Sequence, residues 1–268
     1  MAASKTPLPD ATVLGEYAIA AAENARRLLT DAETLLTRGG FPTAYSLAVL
    51  AFEEAGKSWM SLVGLVMPGE LRAEFPFGKL VSSHRDKLQA ARMIAPWLTF
   101  ITRGPDAAAA GLIEAIDAME DRAREDDLAK QRGFYVDSAD GAIWSPSQVK
   151  RDEARRIVAT VRDVLDRSAP LMEPDFLRFI AAPPDDARAE LDGFLSRFIA
   201  CMQDDDAEAG FAVLAEFYSQ MPGVGEMYEQ HVRRIAVARS RPARTQPQKL
   251  PKAKRTGKPR PPRASGSG

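Results

Sequence analysis

Apolar residues recur three and four positions apart along most of the chain, the spacing of one face of a helix, and the pattern changes in only one short segment. The first run covers residues 12–38, with Val13, Leu14, Tyr17, Ala21, Leu28, Ala32 and Leu35 on one stripe, and Gly39-Gly40 ends it. Pro42 suits the first turn of a second helix, which continues until Met67-Pro68-Gly69 stops it. A third helix is predicted over residues 79–102, kinked or divided at Pro96, and a fourth over residues 106–131. Between residues 133 and 146, Phe134-Tyr135-Val136-Asp137 and Ala142-Ile143-Trp144 flank the turn-forming pair Asp140-Gly141, which predicts a small hairpin or ordered loop. Ser145-Pro146 reads as the N-cap and first turn of a helix to about residue 167, and further helices fit residues 174–181, 185–202, 207–221 and 225–238.

Long helices joined by short connections predict an all-α fold, an antiparallel helical bundle carrying a small hairpin or loop insertion. Residues 10–168 form the expected main helical domain, residues 169–238 an additional C-terminal helical region, and residues 239–268 a disordered basic tail. The tail holds ten Lys or Arg and no Asp or Glu, which leaves residues 1–238 with 26 basic against 37 acidic groups, a net of −11. Nothing in the tail is apolar enough to bury. It could contact RNA, ribosomes or an acidic partner through counterion release, or simply solubilise the chain.

Hydrophobic residues make up 45% of the chain, enough for a sizeable core, and the scarcity of aromatic and β-branched residues favours helices over strands. The single cysteine, Cys201, allows no intrachain disulfide and fits a reducing compartment. No charged start with an apolar run marks a signal peptide, and the most apolar stretch, residues 44–67, is interrupted by Glu53, Glu54 and Lys57. A cytoplasmic protein without a membrane segment is expected. No zinc-ligand spacing links the two histidines to Cys201, and no Gly-rich phosphate loop precedes a Lys-Ser or Lys-Thr. Neither a metal nor another cofactor is therefore expected, and a carboxylate-only Mg²⁺ site at Glu53 and Glu54 has no further support.

The informative polar residues are those on apolar faces. Helical-wheel arithmetic puts Asn24 on the stripe of the first helix, and His84 near the centre of the third helix's stripe with Lys87 to one side. The second helix is apolar nearly all round, so Glu53, Glu54 and Lys57 sit on a helix with little exposed face. Burying charges costs several kcal/mol per ion (of that order) unless they pair or line a wet cleft. Two accounts compete. One is a structural network, with Glu53 paired to Lys57 and Glu54 satisfied by Lys87 or His84 across the bundle. The other is a polar cleft in which histidine carries a proton while Lys and Glu set its charge state. His231 reads as a surface or interface histidine, and Asp204-Asp205-Asp206 as a solvated helix cap.

Asn24-Ala25 with Leu28 and Leu29, then Ala44 and Leu47-Ala48, then Glu53-Glu54-Ala55-Gly56-Lys57, form an ordered set with His84, Lys87, Lys130, Arg132 and Phe134-Tyr135-Val136-Asp137 further on. This set resembles the signature of AbiV-type abortive-infection proteins over roughly residues 12–165. The resemblance implies a HEPN-type helical domain, commonly dimeric, and a role in aborting phage infection by shutting down gene expression. HEPN domains are often metal-independent ribonucleases with an arginine four to six residues before a histidine; no arginine stands at that distance before His84 or His231.

Carried over position by position, the resemblance marks His84, Lys87, Glu53, Glu54 and Lys57 as candidate catalytic residues. It marks Asn24, Lys130, Arg132, Tyr135 and Asp137 as candidate substrate contacts, all ten converging on one site. The expected function is a phage-defence effector acting on RNA or the translation machinery, with RNA or the ribosome, a phage protein trigger and a second copy of the chain as partners. The alternative is a non-enzymatic module that inhibits by occupying a phage or ribosomal protein.

Overall fold

The computed structural model describes residues 8–67, 72, 75–139, 142–182, 185–203, 209–210, 212–213 and 216. The helices expected over residues 207–221 and 225–238, the Asp204-Asp205-Asp206 cap, the Asp140-Gly141 turn, His231 and the basic tail lie wholly or largely outside these residues.

The fold is all-α: eight helices are described, with one two-stranded hairpin. Helix α1 spans Ala11–Thr37, opened by Asp10, whose Oδ1 accepts from Val13 N at 2.9 Å. It closes where Gly39 takes a φ of +82° and Gly40 N donates back to Leu35 O, a termination that needs a residue without a Cβ. Helix α2 (Phe41–Val66) follows with Pro42 in its first turn. Its buried residues run from Ala44 and Ser46 through Phe52 and Glu53 to Leu65 and point to nearly every side, so α2 is the central helix of the bundle. It packs against α1, α4, α5 and α6, the last three defined below.

The third predicted helix is two. Helix α3 (Phe77–Ser82) and helix α4 (His84–Arg103) break at Ser83, whose extended backbone (ψ 124°) ends one helix while its Oγ accepts from Asp86 N to start the next. Pro96 does not divide α4, which continues through it to Gly104 (φ +84°). Wheel arithmetic carried across Ser83 therefore fails. Within α4 the buried positions are Lys87, Leu88, Ala91, Ile94, Leu98 and Phe100, so Lys87 lies on the stripe itself and His84 is the exposed first residue of the helix.

Helix α5 (Pro105–Phe134) leads into β1 (Asp137–Ala139) and β2 (Ala142–Trp144), paired antiparallel with Asp137 opposite Trp144 and Ala139 opposite Ala142. Ser145-Pro146 opens a single 3₁₀ turn, Pro146–Gln148, rather than the next long helix. Helix α6 (Arg151–Ser168) starts afresh at Lys150, whose N–H donates to the Glu153 carboxylate. A second 3₁₀ turn, Ala169–Met172, precedes α7 (Pro174–Ala181) and α8 (Asp185–Gln203).

The main core joins α1, α2, α4, α6 and α7, and Leu171, Met172 and Leu177 belong to it. Each large side chain sealed there, such as Phe52, Leu65, Leu88 or Leu98, contributes about 1.5–3 kcal/mol by leaving water. Val13 and Tyr17, expected inward, are 45% and 36% exposed, because the core face of α1 is Leu14, Ala18, Ala21, Ala22, Ala25, Leu29 and Ala32. Those alanines let α1 approach α2 closely enough for Ser58 Oγ to donate to Ala18 O at 2.8 Å. A smaller apolar cluster of Phe100 and Phe194, flanked by Trp97 and Phe198, fastens α8 to α4. Among the described residues, no helix is long and apolar enough to cross a membrane.

Candidate functional site

Glu53 sits at mid-length of α2 with its side chain only 3% exposed. Three nitrogens surround it. Its Oε1 accepts from Lys130 Nζ of α5 at 2.6 Å, and its Oε2 lies 2.7 Å from His84 Nδ1 and 3.1 Å from Lys87 Nζ, both on α4. Lys130 Nζ also pairs with Asp127 at 2.7 Å and stands 3.2 Å from His84 Nδ1. Two carboxylates and two ammonium groups thus share one pocket of the bundle, so the charges of these four groups balance. This balance is what makes the burial tolerable, since any one of these ions alone would lose several kcal/mol (order of magnitude) of hydration.

Burial by itself would raise the Glu53 pKa. The hydrogen bonds from Lys130 and His84, with the charges of Lys130 and Lys87, outweigh it and hold the carboxyl below the ordinary range. The same contest at Lys130 ends with its ammonium held above the usual lysine value by Asp127 and Glu53, against a burial penalty.

His84 is the member most open to solvent, with its side chain 53% exposed against 31% for Asp127. The short contact from Nδ1 to an ionised carboxylate puts the ring proton on Nδ1. Nε2 has no partner among the described residues and is the nitrogen free to exchange a proton.

Close helix crossings position these groups. A Cβ on Gly56 would lie 1.9 Å from the Lys87 carbonyl oxygen, so only glycine lets α4 cross α2 one turn past Glu53. On the other side Ser46 Oγ donates to the Lys130 carbonyl at 2.8 Å, and a Cβ on Gly133 would strike that same Ser46 Oγ at 2.1 Å. Gly56, Ser46, Gly133 and Asp127 were not singled out from the sequence. A glycine or serine inside a helix carries no mark of what crosses it, and Asp127 stands in a stretch of α5 charged on every side.

The ten expected site residues do not all converge. Glu53, His84, Lys87 and Lys130 meet. Glu53 does not pair with Lys57; Glu54 does, at 2.5 Å, with both side chains about one-fifth exposed (18% and 21%), and His84 and Lys87 serve Glu53 rather than Glu54. Adjacent residues on a helix point about 100° apart, and the crossing of α4 selects the first of the two. Asn24 is half-buried at the edge of the α1 stripe, and its Oδ1 accepts from Arg27. Arg132 stacks over the Trp144 ring at 3.9 Å, and Tyr135 is 62% exposed beside Phe134. Asp137 begins β1; its side chain lies outside the described residues.

Glu53, His84 and Asp127 each offer a ligand atom within 4.8 Å of the others. Lys130 already bridges the two carboxylates, so a divalent cation would have to displace its ammonium group and then sit beside that of Lys87.

The AbiV family model of the HEPN type matches residues 13–166, which span α1 to α6 and contain every member of this cluster. The chain belongs to the AbiV family. Membership in AbiV carries the coarse functional assignment, abortive infection in defence against phage. No curated protein and no solved structure matches the chain.

Proposed function

We propose that this AbiV-family protein is a phage-defence effector that acts on RNA, with the half-exposed His84 as its proton carrier and Glu53 as the group that orients it. The observation carrying this reading is the 2.7 Å contact between His84 Nδ1 and a carboxylate that two buried lysines keep ionised. A metal-independent ribonuclease needs a base to take the proton of a 2′-hydroxyl and an acid to return one to the leaving oxygen. An imidazole anchored at Nδ1 and open at Nε2 suits both duties. Lys87 and Lys130 are sealed from solvent, so their part is to hold Glu53 charged rather than to touch RNA; Lys57, on the next turn of α2, is the lysine of this region that solvent reaches.

The test is phage challenge of cells expressing wild type or His84→Ala, with sequencing of RNA 5′ ends. New ends in wild type that vanish in His84→Ala are the expected result. Protection that persists in His84→Ala, or that arises with no new ends, overturns the assignment.

A second reading, inhibition by occupying a phage or ribosomal protein, draws on the apolar side chains around the hairpin: Tyr135, Val136 and Ile143 are 62%, 69% and 72% exposed. Under that reading Ile143→Asp abolishes protection while cellular RNA stays intact in wild type.

A further inference from the structure

A cavity of about 530 Å³ lies between the hairpin and the helices, walled by α2, α4, α5, β2, the first 3₁₀ turn and α6. It shares no lining residue with the Glu53 cluster. Its size is that of a small-molecule site, and its lining is not that of a packing defect, which would be apolar and dry. Four arginines face three carboxylates around it.

One carboxylate, Asp126, is spent on Arg92. Another, Glu153, accepts the backbone N–H of Lys150. Arg156 has no partner among the described residues, and the buried Nε of Arg92 has no acceptor among them. On the hairpin wall, the Arg132 guanidinium carbon lies over the Trp144 ring, 3.9 Å from its centre, and Tyr45 stands on the α2 wall.

We propose that this cavity binds a nucleoside monophosphate, its phosphate on the guanidinium of Arg156 and its base against the Trp144–Arg132 stack. The chemistry of the lining selects that class. Guanidinium forks hold phosphate in two-point fashion. Aromatic rings and guanidinium planes are the surfaces on which bases stack, and they place no demand on base identity. Glu125 and Gln148 supply acceptors for ribose hydroxyls or base amino groups. Inorganic phosphate would satisfy the arginines and leave the ring wall unused; a nucleoside would do the reverse. The ligand therefore needs both halves. It could arrive as a free mononucleotide or as the 5′-phosphorylated end of an RNA chain, and the chemistry of the site is the same for each.

Calorimetric titration of the full chain with AMP, GMP, CMP and UMP, with inorganic phosphate, with adenosine and with a 5′-phosphorylated tetraribonucleotide tests the proposal. Mononucleotides are expected to bind in the micromolar to low millimolar range, at least tenfold tighter than inorganic phosphate or adenosine, and more weakly as salt is raised. Tetranucleotide binding without mononucleotide binding supports the site with RNA as its source. Arg156→Glu should weaken binding tenfold or more and Arg156→Lys by less; Trp144→Phe, which keeps a ring in the wall, should bind within a few-fold of wild type but lose the ligand-dependent quenching of fluorescence. His84→Ala should bind nucleotide as wild type does whatever becomes of RNA cleavage, which separates this site from the proposed catalytic one. The proposal is overturned by no binding of any nucleotide at millimolar concentration, by phosphate binding as tightly as AMP, or by unchanged affinity in Arg156→Glu.

Discussion

Two buried carboxylates in this bundle have opposite fates. Glu53 is held below the ordinary range although burial pushes it up, because two ammonium groups and an imidazole converge on it. Asp126, one helix over, is raised: burial dominates, the Arg92 guanidinium compensates only partly, and Glu125 adds a like charge nearby. Tyr45, against the same wall, is pushed further from ionisation by burial and by Asp126. Depth alone does not set the charge of a group. The number of cationic partners that packing brings within hydrogen-bond reach does. The Glu53 cluster is a set of paired charges whose exposed edge is His84 and, in part, Asp127, whereas the Asp126 region lies beside an open cavity with an arginine, Arg156, that no described residue pairs.

The largest effect that would sharpen this contrast is removal of the Glu53 charge. Glu53→Gln leaves Lys87 facing a neutral amide and Lys130 with Asp127 alone, and should cost about 3–5 kcal/mol of stability in urea unfolding. Next comes Gly56→Ala, whose added methyl must drive the Lys87 backbone away; a loss of about 1–3 kcal/mol is expected, with loss of whatever activity depends on His84. Asp126→Asn should change stability at neutral pH by no more than about 1 kcal/mol, since the charge it removes is one that burial disfavours. A cost near that of Glu53→Gln would break the comparison. His84→Ala should cost least, about 0.5 kcal/mol or less in stability, because the ring is half in water, while removing RNA cleavage.

The pH dependence separates the two carboxylates by sign. A depressed folded pKa at Glu53 means that its contribution is present above the unfolded value of about 4.3 and is lost as pH falls through the folded pKa. A raised folded pKa at Asp126 means that its ionisation costs stability at higher pH, a cost relieved as pH falls through that raised value. Urea unfolding from pH 3 to 8 should therefore show Asp126→Asn gaining on wild type as pH rises, and Glu53→Gln losing most ground above the carboxylate range. Parallel curves for the two variants would contradict the assignment.

Part of the site was legible in the chain. The second helix had no exposed face on which to place Glu53, so an inward carboxylate followed from the pattern, as did an inward lysine on the helix that crosses it; the histidine expected inward beside that lysine is instead half exposed at the start of α4. What misled was local. Ser83 looked like one more residue of a continuous stripe, and Pro96 looked like the break, because a proline announces a missing N–H while a serine cap shows itself only through its backbone angle. Likewise Glu54 and Glu53 are equivalent in sequence, and their different roles come from where α4 happens to cross. The cavity had no signature beyond scattered arginines and Trp144, drawn from segments far apart in the chain.

By itself the sequence determined the helical class, the approximate ends of most elements, the short hairpin and the presence of charge on a buried face. These follow from interactions within a few residues: periodicity, caps, glycine at positive φ and proline in first turns. Only the tertiary structure decided which carboxylate each lysine meets and where space remains. Those outcomes depend on the axial rotation and close crossing of helices, set by residues as small and distant as Gly56, Ser46 and Gly133, and a shift of one helical position there would turn a different side chain toward the same neighbour.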